Sequence, residues 1–274
     1  MFSVVIATRK RAKQLIETLK TLENFSPDEI IIVVNNCSET EKNLTEHNFN
    51  IPIIVLENTS NIGAGKAKHK GIKAAKNEKI LVLDDDAEII DGSDLKFCLD
   101  SLEKYSLIQG LIVSDANLSR RLNEQPFLIN KKRSGDHTIS YFVGACHFIR
   151  RKQFLKAGGY ENAALYGFEE LELSINLSLR GEKMLFTDKF IVNHKKAPEG
   201  RQLDDELKQN LLKERIRIGY EYYPFLFSFL SAIVWNMKTF KTLKFKVLPK
   251  YNPKPKITMR ELSRNPRLFV RALF

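Results

Sequence analysis

Ile80-Leu81-Val82-Leu83-Asp84-Asp85-Asp86 joins a short apolar run to three consecutive carboxylates. A continuous apolar run bounded by a polar turn reads as a buried strand, so the acidic triplet stands at the carboxyl end of one. Crowded carboxylates repel, and a compact site holds them ionised when a cation or donor-rich ligand offsets the charge. A divalent metal bridging to a diphosphate meets that need. Mg²⁺ and Mn²⁺ take one or two carboxylates and complete their shell with phosphate oxygens and water. A solvated acidic turn is the alternative.

Strands and helices alternate around this junction. Ser3-Val4-Val5-Ile6-Ala7 is a β-branched run ending at Thr8-Arg9, after which Leu15, Ile16, Leu19 and Leu22 recur on one helical face. A second strand, Glu29-Ile30-Ile31-Ile32-Val33-Val34, stops at Asn35-Asn36-Cys37-Ser38, and a third over residues 51–56 stops before Asn58-Thr59-Ser60-Asn61. Such alternation predicts a parallel sheet covered on both faces, which binds ligands beyond the carboxyl ends of its strands. Each polar motif lies at such an end. Asn61-Ile62-Gly63-Ala64-Gly65-Lys66-Ala67-Lys68 then opens a helix with basic first turns. A helix N-terminus presents free N–H groups and lysines add attraction for phosphate. The glycine spacing is neither a P-loop nor Gly-x-Gly-x-x-Gly, and alone it also suits an ordinary loop before an amphipathic helix.

Further along, Gly144-Ala145 is followed by Arg150-Arg151 and Gly158-Gly159-Tyr160, and then by Gly167-Phe168-Glu169-Glu170. These motifs, in order with Val-Val-Ile-Ala-Thr-Arg, Ile-Val-Val-Asn-Asn-Cys-Ser, Asn61-Ile62-Gly63 with Lys68 and Gly71, and Leu83-Asp84-Asp85-Asp86, resemble the family 2 glycosyltransferases. The likeness is to bacterial polysaccharide and rhamnosyltransferase-like members and covers residues 2 to about 195. It implies a GT-A nucleotide-diphospho-sugar transferase fold, a Rossmann-like, mostly parallel α/β sheet flanked by helices. Residues 1–205 would form the catalytic domain, with a donor half over about 1–115 and an acceptor half over about 116–205. Residues 206–274 would form a basic and aromatic helical extension.

The resemblance also implies roles. Thr8 and Arg9 touch the nucleobase and ribose. Asn35 stands where the family has Asp, and its carbonyl still accepts the imide N–H of uracil or thymine. Asn61 and Gly63 belong to the same nucleotide-sugar site. Lys68, at a frequent Arg position, meets the diphosphate as a point charge, and His69 replaces a usual Asn. Asp84 and Asp85 serve the ribose side. Asp86 is the main ligand of Mn²⁺ or Mg²⁺, with Asp84 and His194, and the metal is a Lewis acid for the departing diphosphate. Gly144 and Ala145 line the sugar pocket.

Glu170, with Glu169 beside it, is the implied general base. The family's usual residue there is Asp, and the extra methylene moves the acceptor outward. By residue type alone, acids in a helix's first turn also serve to oppose its dipole. Glu172 replaces another usual Asp and supports the site. His194 follows the apolar strand over residues 189–193 and is either a ligand or an ordinary strand-end residue. His47 and His137 read as loop residues, and His147 as a core or acceptor-wall residue. Residues 141–146 read as a strand whose Gly144 lets a sugar approach the backbone.

The chain has 274 residues, no internal repeat and no Pro/Gly/Ser-rich linker, which suits one sizeable core. Cys37, Cys98 and Cys146 are odd in number and form neither a disulfide framework nor a zinc pattern; a reducing cytoplasm suits them. The chain opens on a core strand with no secretory signal. Net charge is +11. Lys195, Lys196 and Arg201, after His194, either bind phosphate or remain solvated; Lys208, Lys213, Arg215 and Arg217 precede an uncharged aromatic run over residues 222–237, and Lys238, Lys241, Lys244 and Lys246 follow it. The run is shorter than the roughly 20 apolar residues of a spanning helix. It is interfacial on an anionic membrane surface, or packed on the catalytic domain, or both. Nucleic acid is not an expected partner, because the lysines form no nucleic-acid motif.

The expected activity is metal-dependent, inverting transfer of a sugar from a nucleotide-diphospho-sugar, UDP- or dTDP-linked, to a glycan or lipid-linked acceptor in surface polysaccharide biosynthesis. The expected place is the cytoplasm, peripheral on the inner membrane face. A nucleotidyl- or phosphoryl-transferring α/β enzyme with the same acidic cluster is one alternative. A non-catalytic nucleotide- or carbohydrate-binding protein of the same fold is another, kept open by Asn35 and Glu170.

Overall fold

The structure, a computed structural model, describes residues 1–37, 49–114, 118–127, 130–163, 165, 167–196, 204–240 and 256–260. Its first half is a parallel sheet in the order β3 (Ile53–Asn58), β2 (Glu29–Asn35), β1 (Ser3–Thr8), β4 (Lys79–Asp84). The β-branched runs are continuous because both faces are covered. Val4, Ile6, Ile30, Ile32 and Val34 meet Leu15, Leu19 and Leu22 of α1 (Ala12–Glu23) on one side. Val5, Ile31 and Val33 meet Ala67 and Ile72 of α2 (Ala64–Ala74) on the other.

The second half is mixed. β5 (Ala87–Ile89) and α3 (Leu95–Ser101) lead to β6 (Leu107–Ser114), which carries β7 (Ser119–Arg120) on its edge. β9 (Cys146–Arg150) runs antiparallel between β4 and β6. β10 (Met184–His194) pairs in parallel with β6, while β5 and β8 (His137–Ile139) run antiparallel along its other edge. The four alternating strands are parallel, as the alternation predicts, and the second half adds antiparallel neighbours to them. An antiparallel neighbour needs no crossover helix, and among the described residues only a 3₁₀ turn, Leu122–Glu124, and two short strands separate β6 from β9.

Three local expectations need correction. The third strand begins at Ile53, because Pro52 has no N–H to give a ladder; its carbonyl still accepts from Ile30 N at 2.9 Å. Residues 141–146 are not a strand. Val143 N donates to the Gln109 side chain at 2.9 Å, Gly144 and Ala145 form a turn, and the ladder starts at Cys146. His137 lies in β8 and not in a loop. His147 is buried in the core, its Nε2 3.3 Å from the Tyr160 hydroxyl. Ser38, His47, Arg201, Lys241, Lys244 and Lys246 lie outside the described residues.

α4 (Arg151–Lys156) and α5 (Glu169–Leu179) flank the second half. α6 (Asp204–Tyr222) packs on α5 through Leu171, Ile175, Ile218 and Tyr222, and Phe227 of α7 (Phe225–Phe240) packs against the same cluster. Among the described residues no helix is long and apolar enough to cross a membrane. None of the three cysteines is in a disulfide among the described residues.

Candidate active site

A cleft of about 270 Å³ opens at the carboxyl ends of β1, β2, β4 and the end of β10. The acidic triplet forms its floor, and each carboxylate meets a basic side chain, with Arg11 shared by Asp85 and Asp86. Asp84 Oδ1 accepts from Lys68 Nζ at 2.6 Å. Asp85 accepts from Thr8 Oγ1 and from Arg11 Nη1, both at 2.8 Å, and its backbone carbonyl accepts from Thr18 Oγ1 at 3.0 Å. Asp86 Oδ2 accepts from Arg11 at 3.2 Å and its Oδ1 lies 3.1 Å from His194 Nε2. The protein's own cations thus offset part of the repulsion that the sequence assigns to a metal. Burial pushes the Asp85 carboxyl up to about 6, against the pull of Arg11.

Asp84, Asp86 and His194 each offer one ligand atom, and the three atoms lie within 4.8 Å of one another. Two carboxylate oxygens and one imidazole nitrogen suit a divalent cation. Asp85 takes no part, since both its oxygens face Thr8 and Arg11. The other imidazole nitrogen, Nδ1, meets Glu124 Oε2 at 2.8 Å, which fixes the ring and points Nε2 at the two aspartates. Glu124 also pairs with Lys196. Burial opposes a charge on His194, but its hydrogen bonds to the carboxylates of Asp86 and Glu124 prevail and raise it to about 9.

Arg11 and Glu124 escape sequence reading. Arg11 follows the strand-end Thr8-Arg9, and Lys10 at φ 58° turns the chain so that it faces the triplet. Glu124 sits in the 3₁₀ turn and carries no local signal.

On the nucleotide side, Thr8, Arg9, Asn35, Asn61 and Lys68 all line the cleft. Asn35 Oδ1 accepts from Ile62 N at 3.0 Å, and its Nδ2 donates to Asn61 Oδ1 at 2.8 Å. Asn61 Oδ1 accepts in turn from Gly63 N at 3.1 Å. This amide relay holds the loop that starts α2, with Gly63 at φ 87°. The oxygen that the sequence assigns to a base thus already has a backbone donor. His69 Nδ1 accepts from Tyr160 N at 3.1 Å, a structural contact in the second half.

Lys68 joins the two halves of the site. Its ammonium is buried and also donates to Gly144 O at 3.2 Å. Burial works against its charge, yet Asp84 beside it holds the group above the ordinary lysine range, helped by Glu170 and Glu169. These two glutamates open α5 after two left-handed residues, Gly167 at φ 91° and Phe168 at φ 66°. Both are half-buried and Glu169 Oε2 has no hydrogen-bond partner. Burial and the neighbouring Glu169 push the Glu170 carboxyl up to about 8, with Lys68 opposing. The Glu170 carboxyl lies directly over Gly144, so that glycine makes room for an acid of the protein itself. Ala145, expected beside it in the sugar pocket, is buried, and its carbonyl accepts from Asp84 N at 3.0 Å.

Glu172, one turn on, faces α6. Arg217 Nη2 donates to it at 2.6 Å and the Tyr222 hydroxyl at 3.0 Å. Its support of the site is therefore an anchor of α5 to the C-terminal helices.

Comparison with known proteins agrees with this arrangement. Residues 3–157 match the profile of the family described as Glycosyl transferase family 2. A Haemophilus influenzae protein named as an uncharacterized glycosyltransferase is 29% identical over 191 residues, which cover 65% of this chain and 62% of that protein. GalNAc(5)-diNAcBac-PP-undecaprenol beta-1,3-glucosyltransferase of Campylobacter jejuni is 28% identical over 187 residues, 64% of this chain and 59% of its own. The chain thus spans about six tenths of the length of these two relatives. The crystal structure of GalNAc-T7 with UDP, GalNAc and Mn²⁺ superposes with a TM-score of 0.66 at 17% identity, over 81% of this chain and 48% of that one. That likeness establishes the GT-A fold.

Proposed function

This chain belongs to glycosyltransferase family 2, and from that premise we propose that it moves a sugar from a nucleotide-diphospho-sugar to a hydroxyl of a lipid-linked saccharide or glycan. The reaction inverts the anomeric centre and serves surface polysaccharide biosynthesis. One observation carries the reading: Lys68 bridges Asp84, in the Asp84–Asp86–His194 cluster, to the side of the site where Glu170 lies over Gly144. Leaving-group and acceptor chemistry thereby share one site. The Campylobacter relative, named for an undecaprenol-linked substrate, supports a lipid-linked acceptor. The UDP and Mn²⁺ of the GalNAc-T7 structure support a UDP- or dTDP-linked donor and a divalent metal.

Asp84, Asp86 and His194 would hold that metal, Mn²⁺ or Mg²⁺, with the imidazole favouring Mn²⁺. When bound, it supplies Lewis-acid neutralisation of the charge on the departing diphosphate. Lys68 adds a fixed positive charge on the same side of the sugar. Glu170 accepts the proton of the acceptor hydroxyl as its oxygen attacks the anomeric carbon from the opposite side. The surroundings that raise its proton affinity make its ionised form a stronger base. Cysteines without disulfides suit a cytoplasmic setting.

A panel of labelled nucleotide-sugars, incubated with the protein, Mn²⁺ and a lipid-linked saccharide, tests this reading. Release of nucleoside diphosphate with a β- or α-anomer opposite to the donor's supports it. Release of inorganic diphosphate would point instead to nucleotidyl transfer, and donor binding without any release would remove the catalytic assignment.

A further inference from the structure

α7 has two unlike faces. Ser228, Ser231, Ala232 and Asn236 are buried, and Trp235 meets Phe168 edge-on with ring centres 5.4 Å apart. The Ser228 hydroxyl donates to Gly219 O at 2.5 Å, tying this face to α6. The opposite face is apolar and open. Leu226, Phe229, Leu230, Ile233 and Met237 follow at helical spacing, with Leu226 60% and Met237 47% exposed. Beside them Phe225 and Phe229 stack with centres 6.0 Å apart.

Charge indicates what covers this stripe. Residues 225–240 contain no acid, and after Met237 come Lys238, Lys241, Lys244, Lys246 and Lys250 in sequence. At the helix's other end Lys256 N donates to Glu221 O at 3.3 Å, with its ammonium 4.2 Å from the Tyr222 ring centre. An apolar stripe followed in sequence by five lysines, with Lys256 at its other end, suits a surface that offers acyl chains beneath anionic headgroups. A second copy of a chain with net charge +11 would bring like charge to the same place.

We propose that the outer face of α7 docks on an anionic lipid bilayer, lying in the interface while its inner face packs on α6 and on Phe168 ahead of α5. This deepens the reading of a lipid-linked acceptor and rests on it. The docked helix is the one that contacts Phe168, next to Glu169, so a membrane-embedded acceptor and the acidic pair would share one rigid support.

Flotation of the full chain with phosphatidylcholine vesicles, with and without phosphatidylglycerol, tests the proposal without any sugar donor. Binding is expected at low salt only with phosphatidylglycerol, and high salt should weaken it without abolishing it. The variant Leu226→Gln/Phe229→Gln/Leu230→Gln should partition at least about tenfold less while keeping its melting temperature and its hydrolysis of donor. Should the triple variant melt early, Leu226→Gln alone, at the most exposed position, decides by the same measure. No binding of the wild type at low salt overturns the proposal, as does wild-type partitioning of the variants. A wild-type dimer in sedimentation that the variants make monomeric would assign the face to a second copy and overturn it too. Vesicle binding without nucleoside diphosphate release on any donor would instead sink the reaction and leave the docking surface standing.

Discussion

A β-carbon at Gly144 would overlap Oε1 of Glu170 and stand 3.0 Å from its Cδ, so the Glu170 carboxyl of α5 fills the space left by a glycine ahead of β9. Gly144→Ala must therefore move Glu170. The expected result is a fall in kcat of about 10²-fold, the scale of a lost general base, with donor affinity within about threefold of wild type. Glu170→Gln should match it. Single-turnover transfer together with calorimetric donor binding checks both, and a fully active Gly144→Ala would show that Glu170 is not the base. If Glu169→Gln is the crippled variant and Glu170→Gln is near normal, the base is the first glutamate.

The same carboxyl predicts opposite pH trends for rate and stability. Burial and Glu169 raise Glu170 from 4.5 to about 8, while Lys68 opposes and Asp84 adds to the effect. Between those values the folded protein holds a proton that the unfolded chain has lost, so this group's contribution to stability declines as pH rises through the window. Transfer needs the ionised form, so kcat/KM should climb over the upper part of the same window. Glu170→Gln is expected to melt higher than wild type at pH 8 and to gain less at pH 5. Thermal melts and pH–rate profiles of both proteins decide it.

What can be read before folding follows the range of each interaction. The strand ends at Thr8, Asn35 and Asp84 and the acidic start of α5 are local patterns, since a buried run and a helix's first turn are each written in a few neighbouring residues. Arg11 meets Asp85 across 74 positions and Glu124 meets His194 across 70, contacts that depend on how β1 and β10 are placed and that no spacing rule encodes. Gly144 is conspicuous as a sequence feature, but its partner is not. The space over it holds the Glu170 carboxyl, because α5 returns to the turn ahead of β9.

Metal binding should separate the ligands from their support. Asp86→Ala removes one ligand and leaves Arg11 paired to Asp85, so circular dichroism should match wild type while Mn²⁺ binding and metal-dependent turnover are lost. Glu124→Gln keeps all three ligands but weakens the hold on His194 Nδ1, and Mn²⁺ affinity is expected to fall about 10- to 100-fold. Electron paramagnetic resonance titration of free Mn²⁺ reads both without turnover. Wild-type affinity in Asp86→Ala would remove this cluster as the metal site.

The last prediction concerns Phe168, which holds φ 66° immediately before Glu169. A bulky residue in the left-handed region costs about 1 to 3 kcal/mol and persists where its surroundings over-determine it. Here the surroundings are the edge-on contact with Trp235 and the guanidinium of Arg215, 5.7 Å from the Phe168 ring centre and 5.5 Å from that of Trp235. Two causes then compete at one position. If backbone conformation alone matters, Phe168→Gly removes the strain, and both melting temperature and transfer rate should hold or rise. If the ring is the clamp, the variant melts several degrees lower and transfers more slowly, because aromatic contacts contribute about 0.5 to 1.5 kcal/mol beyond burial and fix the first turn of α5. The second outcome is expected. Trp235→Ala should reproduce the slower transfer with donor affinity unchanged, Trp235→Phe should restore most of it, and a Trp235→Ala protein with wild-type kcat would show that the C-terminal helices hold α5 without setting its acids.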